Sequence, residues 1–168
     1  MKSIYNISAF LLISALISSC SPQRQASANY DNETECAGVE GDGSQTVIAW
    51  GSGRNRFDAI EQAKKRAIQD VVFKGISDGK DECNKRPVLG EVNARQKHED
   101  YFNTFFADNG PYLDFVSLKD ERIGQKVLRD RKAGRKSVSH SIVVRVMRPA
   151  LKQKFIKDGI LKKQKNIK

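Results

Sequence analysis

One stretch of the sequence, residues 47–69, limits the possible folds more than any other. It reads VIAWGSGRNRFDAIEQAKKRAIQ: an apolar run, two glycines one residue apart, and a segment with alanine at every fourth position. β-Branched and aromatic residues that end at glycines predict a strand over residues 46–50. Apolar residues at i, i+4 and i+8 predict a helix over residues 56–76 that buries one face. Asn55 is the expected N-cap residue of that helix.

A strand, a glycine turn and a helix also occur in nucleotide-binding proteins, where the helix N-terminus holds phosphate. A dinucleotide fingerprint requires a third glycine, but Arg56 occupies that position here. It also requires a second parallel strand with an acidic residue, whereas residues 77–87 have the composition of a loop. A P-loop would require Gly-Lys-Ser or Gly-Lys-Thr, which the sequence lacks. We therefore expect no nucleotide and no other cofactor, and keep Arg54 and Arg56 as candidate contacts for an anion.

The rest of the chain predicts two more strands and two more helices. Residues 91–107 gather their aromatic side chains on one side and predict the second helix. Residues 125–131 and 137–147 predict a hairpin, the second strand of which alternates apolar and polar residues. Pro149 is suited to the start of a last helix. The order β-α-α-β-β-α predicts an α+β fold with a small three-stranded sheet and helices packed on one face, as a single domain over residues 46–160.

The first twenty residues carry a different signal. They read MKSIYNISAFLLISALISSC, with a basic start, a short apolar middle and small residues before the cysteine. The apolar stretch is too short to span a bilayer core of roughly 30 Å, and the pattern is typical of a secretory signal. Its last four residues, Ile-Ser-Ser-Cys, resemble the lipobox of bacterial lipoproteins. The resemblance implies a signal peptide over residues 1–19 and acylation of Cys20, while an ordinary secreted protein with a chance cysteine is the alternative.

This N-terminal signal sets the expected location of the mature protein. A single acyl chain anchors a protein only marginally, but two or three chains would hold it on a membrane. Residues 20–45 contain few large apolar side chains and predict a flexible tether that follows the lipidated cysteine. We expect the domain to be lipid-anchored in the bacterial cell envelope, at the outer membrane, and the sequence leaves open which side it faces.

The chain is strongly basic, with a formal net charge of +10. At an envelope location, another envelope protein or an anionic envelope polymer is a better expected partner than nucleic acid. Residues 161–168 form a basic tail, for which a solvated terminus is the simpler interpretation. The lysines of this tail are further candidate anion contacts: Lys162, Lys163, Lys165 and Lys168.

Two cysteines and two histidines are left to consider. Outside the cytoplasm Cys36 and Cys83 can pair, but the sequence does not determine whether they do, because disulfide geometry cannot be read from it. No CxxC motif and no Cys/His cluster indicates a metal site. His140 falls in the buried register of a predicted strand, and His98 has acidic neighbours but no motif that would make it a general base.

The sequence predicts no catalytic residue, since motifs such as GxSxG and HExxH do not occur. We expect a non-enzymatic interaction, structural or assembly module whose partner surface lies in the aromatic segment. The candidate residues of that surface are His98, Tyr101, Phe105 and Tyr112, provided that part of the aromatic cluster is exposed; such a cluster more often forms core. The alternative is an envelope hydrolase or glycan-binding accessory protein with a cleft in residues 80–116.

The strand, the Gly-x-Gly and the alanine-rich helix resemble a domain of small bacterial envelope lipoproteins. These include the lipoprotein-twenty surface antigens and the N-terminal domain of the flagellar assembly lipoprotein T. The matching positions are residues 47–53, Ala59, Ala63, Ala67 and residues 142–146. The resemblance covers residues 46–76 and 125–147, whereas residues 87–121 look more like uncharacterised lipoproteins of the Bacteroides–Porphyromonas group. It implies an envelope location and an assembly-type role, and it transfers no catalytic residue.

Overall fold

The computed structural model describes residues 33–120 and 138–162. In these ranges the chain forms a five-stranded sheet and four α-helices, so the predicted α+β class is confirmed and the three-stranded sheet is wrong. The strands are β1 (Glu35–Val39), β2 (Gln45–Gly53), β3 (Asp78–Gly79), β4 (Val116–Asp120) and β5 (Val138–Val146). The helices are α1 (Arg56–Gln69), α2 (Ala94–Lys97), α3 (Glu99–Phe105) and α4 (Arg148–Lys157). A π-helical segment (Asp70–Lys74) follows α1, and a 3-10 helix (Pro111–Phe115) precedes β4.

The strand order in the sheet is β3-β1-β2-β5-β4. Neighbouring strands are antiparallel except for β3, which pairs in parallel with β1. The two longest strands, β2 and β5, form the centre and pair residue for residue from Gln45 opposite Val146 to Gly53 opposite Val138. Successive side chains of a strand point to opposite faces, and α1 covers the face that carries Val47, Ala49 and their partners on β5.

The predicted glycine turn is wrong, because Gly51 and Gly53 lie inside β2 and pair with β5. Their role is to let α1 approach the sheet. A Cβ atom on Gly51 would lie 2.1 Å from the carbonyl oxygen of Ala59 and 2.3 Å from the amide nitrogen of Ala63. A Cβ atom on Gly53 would lie 2.4 Å from Cβ of Asp58. The two glycines are therefore required for helix packing and form no phosphate-binding loop.

Helix α1 follows the predicted pattern. The amide of Asp58 donates to Oδ1 of Asn55 at 2.9 Å, so Asn55 caps the helix as expected. The alanines of the stripe are fully buried: Ala59, Ala63 and Ala67. The α-helix ends at Gln69 and not at residue 76, because the next turn is π-helical and closes with a bond from Gly75 N–H to the Asp70 carbonyl at 2.7 Å.

Asp70, at the start of the π-helical segment, is a buried carboxylate that connects several parts of the chain. It accepts a hydrogen bond from Thr34 Oγ1 at 2.5 Å and lies 3.3 Å from Lys74 Nζ and 3.8 Å from Arg66 Nε. A buried carboxylate is tolerated when it is paired and hydrogen-bonded in this way. Since Thr34 precedes β1, this contact ties the beginning of the described chain to the π-helical segment that follows α1.

The tether predicted for residues 20–45 is wrong for its last part. Residues 35–39 form β1, and Thr34, Cys36 and Ser44 are buried. The small and charged residues of this segment indicated a flexible chain, but backbone hydrogen bonds to β2 and the contact of Thr34 with Asp70 hold it on the sheet. Cys20 and residues 21–32 lie outside the described residues.

The C-terminal half differs from the prediction in three ways. The helix expected over residues 91–107 is two short helices that meet at His98. The strand at Val116–Asp120 was missed, and residues 125–131, where a strand was expected, lie outside the described residues. The face of β5 that points away from α1 is more buried than expected, because Ser141 and Val143 lie beside Trp50 and Ile48 of β2.

Candidate functional site

The aromatic residues expected to form a partner surface lie mostly in the core. Phe105 and Tyr112 are 2% and 1% exposed, so the prediction is wrong for both, whereas Tyr101 and His98 are partly buried. Helix α3 inserts its rings between the π-helical segment and α4. The ring centroid of Phe102 lies 4.9 Å from that of Phe73 in the π-helical segment and 5.8 Å from that of Phe155 in α4. Such edge-to-face contacts are typical of a packed aromatic core.

The two tyrosines use their hydroxyl groups inside the protein. Tyr101 donates to Asp158 Oδ2 at 2.5 Å, and Tyr112 donates to Glu61 Oε2 at 3.2 Å. Burial, and then the neighbouring carboxylate, raise the pKa of both tyrosines above the ordinary value. The hydrogen bond from Tyr101 in turn lowers the pKa of Asp158. Both hydroxyls therefore remain protonated donors that fix α3 and the 3-10 helix in the fold.

The predicted anion contacts do not form one site. Arg54 is 97% exposed at the start of α1, with its Nε 3.9 Å from Asp58, and Arg56 is exposed beside it. Lys162 lines a cleft elsewhere on the domain. Lys163, Lys165 and Lys168 lie outside the described residues.

That cleft has a volume of about 520 Å³ and lies between two stretches of chain. One wall comes from residues 84–90, and the other from the start of α4 together with residues 161–162. The lining residues are Asn84, Arg86, Pro87, Val88, Gly90, Arg148, Lys152, Leu161 and Lys162. The alternative prediction placed a cleft within residues 80–116, and this segment supplies only one of the two walls.

The wall at residues 84–90 is held from behind by the core. The amides of Val88 and Leu89 donate to the carbonyls of Val71 and Val72 at 3.1 and 2.9 Å. These carbonyls lie in the last helical turn, which ends at Lys74, and carbonyls at a helix end lack a partner within the helix. Cys83 forms a disulfide with Cys36, with the Cα atoms 5.8 Å apart. Both cysteines are 4% exposed. Because Cys36 lies in β1 and Cys83 directly precedes Asn84, the disulfide joins β1 to the start of this wall.

The other wall is held by α4 and the turn that follows it. Leu151 and Phe155 are fully buried in the core. The amide of Leu161 donates to the Phe155 carbonyl at 2.9 Å, which positions residues 161 and 162 after the helix. Arg148 connects the walls directly, since its Nη2 donates to the Arg86 carbonyl at 2.8 Å. The cleft is thus framed by backbone contacts and by one guanidinium.

The charge of the cleft is of one sign. Its described lining contains four cations, Arg86, Arg148, Lys152 and Lys162, and no carboxylate. Glu91 follows Gly90 in the chain, but its carboxylate pairs with Lys97 Nζ at 2.6 Å. That contact is the main cause of the lowered pKa of Glu91, and the charge of Lys162 is the smallest of the contributing causes. Among the described residues, no carboxylate oxygen lies within 4 Å of a lining cation, and Glu91 is near enough to Lys162 for the lysine to contribute to its lowered pKa.

Arg148 differs from every other partly buried lysine or arginine in the described ranges. The others have a carboxylate oxygen within 4 Å: Lys64, Lys65, Arg66, Arg145 and Lys154. Arg148 has none, and its Nε–H is buried without an acceptor. Burial lowers the pKa of its guanidinium, which nonetheless stays charged at neutral pH. A partly buried cation with no carboxylate within 4 Å among the described residues favours an anion at this place.

The described lining offers guanidinium and ammonium groups that can bind an anion. None of the nine residues is a histidine, cysteine, serine or acid. In the described ranges, moreover, no three His, Cys, Asp or Glu side chains gather so that they could hold a metal ion. The described helices also include none with the length and hydropathy to cross a bilayer.

Sequence reasoning missed this cleft although a signal was present. Residues 84–90 and 148–152 read NKRPVLG and RPALK, with four cations and no acid between them. The signal becomes visible only once the two stretches are known to face each other. Comparison of the chain with protein-family models, with curated proteins and with solved structures gives no match. The fold and the site therefore define a class only: an α+β domain with a basic cleft.

Proposed function

We propose that this protein is a lipid-anchored component of the bacterial envelope that acts as a non-enzymatic binding module. Its N-terminal sequence supports the anchor, through the basic start, the short apolar segment and the lipobox-like residues that end at Cys20. The basic cleft is the place where the module holds an anionic partner. Partner candidates are those of the envelope surface, where phosphorylated lipids and acidic polymers are the available polyanions.

The observation that carries this proposal is Arg148. Burial of a charge is unfavourable unless an opposite charge compensates it. Arg148 is partly buried, and no carboxylate oxygen of the described residues lies within 4 Å of its guanidinium. An anion in the cleft would supply the missing counter-charge. Arg86, Lys152 and Lys162 would add to the attraction, although they are exposed and therefore screened by salt.

The alternative of an envelope hydrolase has less support. General acid–base catalysis most often uses histidine, aspartate or glutamate within hydrogen-bond reach of the substrate. The described residues of the cleft lining supply only cations, one amide side chain and apolar groups. Hydrogen bonding and charge would hold an anionic group there without altering it, which is the behaviour of a binding module.

The anchor is tested in growing bacteria with a labelled fatty acid. We expect the label on the wild-type chain and its loss in the Cys20→Ala variant, because the thiol is the acceptor. A wild-type chain with an intact thiol and no label would refute the anchor. Migration of the chain with the cytosol as an uncut precursor would refute it as well.

Anion binding is tested with inorganic polyphosphate and the purified full chain at low and high salt. We expect binding that weakens in Lys152→Ala/Lys162→Ala, because both lysines line the cleft. The matched control is Arg95→Ala/Lys157→Ala, which removes the same charge from two exposed residues outside the cleft. Equal loss in both double variants would show that only net charge matters and would refute the site.

A further inference from the structure

We propose that the ligand of the basic cleft is a phosphate monoester carried on an apolar chain. This inference rests on the proposed function, since it assumes that the cleft binds an anion, and it adds the chemical class of that anion. The cleft brings together four cations and an apolar strip formed by Pro87, Val88 and Leu161. It therefore matches a ligand with a doubly charged head and an apolar body.

The charge of the cleft favours phosphate over carboxylate. A phosphate monoester carries about two negative charges at neutral pH and three strong acceptor oxygens. A carboxylate would leave most of the charge of Arg86, Arg148, Lys152 and Lys162 uncompensated. Guanidinium groups also bind phosphate through paired N–H donors. The bond from Arg148 Nη2 to the Arg86 carbonyl fixes the guanidinium in the lining of the cleft.

The shape and the rest of the lining favour a ligand larger than a phosphate ion. The volume of about 520 Å³ falls in the range of sites for small organic molecules. Pro87, Val88 and Leu161 supply apolar surface, and Gly90 has no side chain to fill the space. Val88 is 8% exposed and bonded to the core through its amide, so this surface is fixed. An inorganic ion would contact the cations and leave the apolar strip in water.

The closing experiment measures binding by calorimetry with the full lipidated chain in nanodiscs of phosphatidylcholine, and with empty nanodiscs as the blank. The probes are methyl phosphate, hexyl phosphate and hexanoate. Each methylene that becomes buried tightens binding about fourfold. Hexyl phosphate is therefore expected to bind at least about tenfold more tightly than methyl phosphate, which corresponds to two buried methylenes. Hexanoate is expected to bind at least about tenfold more weakly than hexyl phosphate, because it carries half the charge.

Variants assign the two parts of the ligand to the two parts of the cleft. Arg148→Gln is expected to weaken both phosphates by about tenfold to a hundredfold, through lost charged hydrogen bonds. Lys152→Ala/Lys162→Ala should weaken binding of both phosphates by about fivefold to tenfold. Both lysines are exposed, so this double variant keeps the fold and replaces Arg148→Gln in the test if that variant does not fold. Leu161→Ala should weaken hexyl phosphate and leave methyl phosphate within about twofold, because it removes apolar surface alone.

The outcomes separate this inference from the proposed function. Equal binding of methyl and hexyl phosphate would overturn the apolar part, and equal binding of hexanoate and hexyl phosphate would overturn the phosphate; both leave anion binding standing. Absence of binding for both phosphates and for polyphosphate would overturn the proposed function too. With phosphatidic acid in the nanodiscs, loss of hexyl phosphate binding would identify a bilayer lipid as the source. Unchanged binding would identify a free amphiphile.

Discussion

Replacing Gly51 with alanine tests the packing on which the domain depends. Gly51 lies in the middle of the sheet, in β2, directly under α1. An added Cβ atom would meet backbone atoms of the helix at 2.1 Å, at the Ala59 carbonyl oxygen, and at 2.3 Å, at the Ala63 amide nitrogen. No side-chain rotation relieves such a contact, because both obstacles belong to the backbone. The helix must therefore move as a body or the strand must bend.

The size of the effect follows from these distances. Ordinary contact begins at 3.4 Å, so α1 must move away from β2 by about 1.3 Å. The displacement opens a gap along Ala59, Ala63 and Ala67, which are now fully buried against the sheet. Overpacking typically costs about 1–3 kcal/mol, and a rigid obstacle belongs at the upper end of that range. We expect Gly51→Ala to lower the free energy of unfolding by about 3 kcal/mol.

The assay is equilibrium unfolding in urea, followed by the fluorescence of Trp50, which is the single tryptophan of the chain and lies in β2. The loss corresponds to a midpoint about 1–2 M lower. Gly41→Ala is the matched control, because a Cβ atom there would meet nothing within 4 Å. The control should stay within about 0.5 kcal/mol of the wild type. A Gly51→Ala variant as stable as the control would refute the close approach of helix and strand.

Three further changes test other contacts. Cys36→Ser/Cys83→Ser removes a disulfide between residues 47 positions apart in the sequence, which should lower the free energy of unfolding by about 4 kcal/mol. Urea unfolding without reductant measures this loss, and an unchanged midpoint would contradict the contribution of the disulfide. Tyr101→Phe should cost about 1 kcal/mol at neutral pH. In the wild type this hydrogen bond lowers the pKa of Asp158 below 3.8. The difference in unfolding free energy between wild type and variant should therefore shrink as the pH falls through the folded pKa of Asp158. A difference that persists in acid would contradict this assignment. Asp70→Asn leaves two partly exposed cations without their carboxylate and should cost about 2 kcal/mol by thermal unfolding, and a neutral result would contradict its role.

The sequence by itself determined the elements whose signals are local. Helix α1 begins where Asn55 caps it and buries the alanine stripe that the spacing predicted. Helix α4 begins at Arg148, one residue before Pro149, as expected for a proline in the first turn. These signals span one or two turns of chain, so they hold whatever the rest of the molecule does. Strand β5 was found for a similar reason, since period-two alternation is visible within nine residues.

Only the tertiary structure decided how these elements meet. Gln45 pairs with Val146 about a hundred residues away, and no local pattern shows that β2 continues through its glycines to reach that partner strand. The same holds for the aromatic segment, which was expected to form a surface, whereas Phe105 is buried between Phe115 of the 3-10 helix and Phe155 of α4. The cleft depends on it too, because Arg86 and Arg148 belong to distant stretches that the core holds face to face. Burial and charge compensation are properties of neighbours in space, and spacing along the chain does not specify those neighbours.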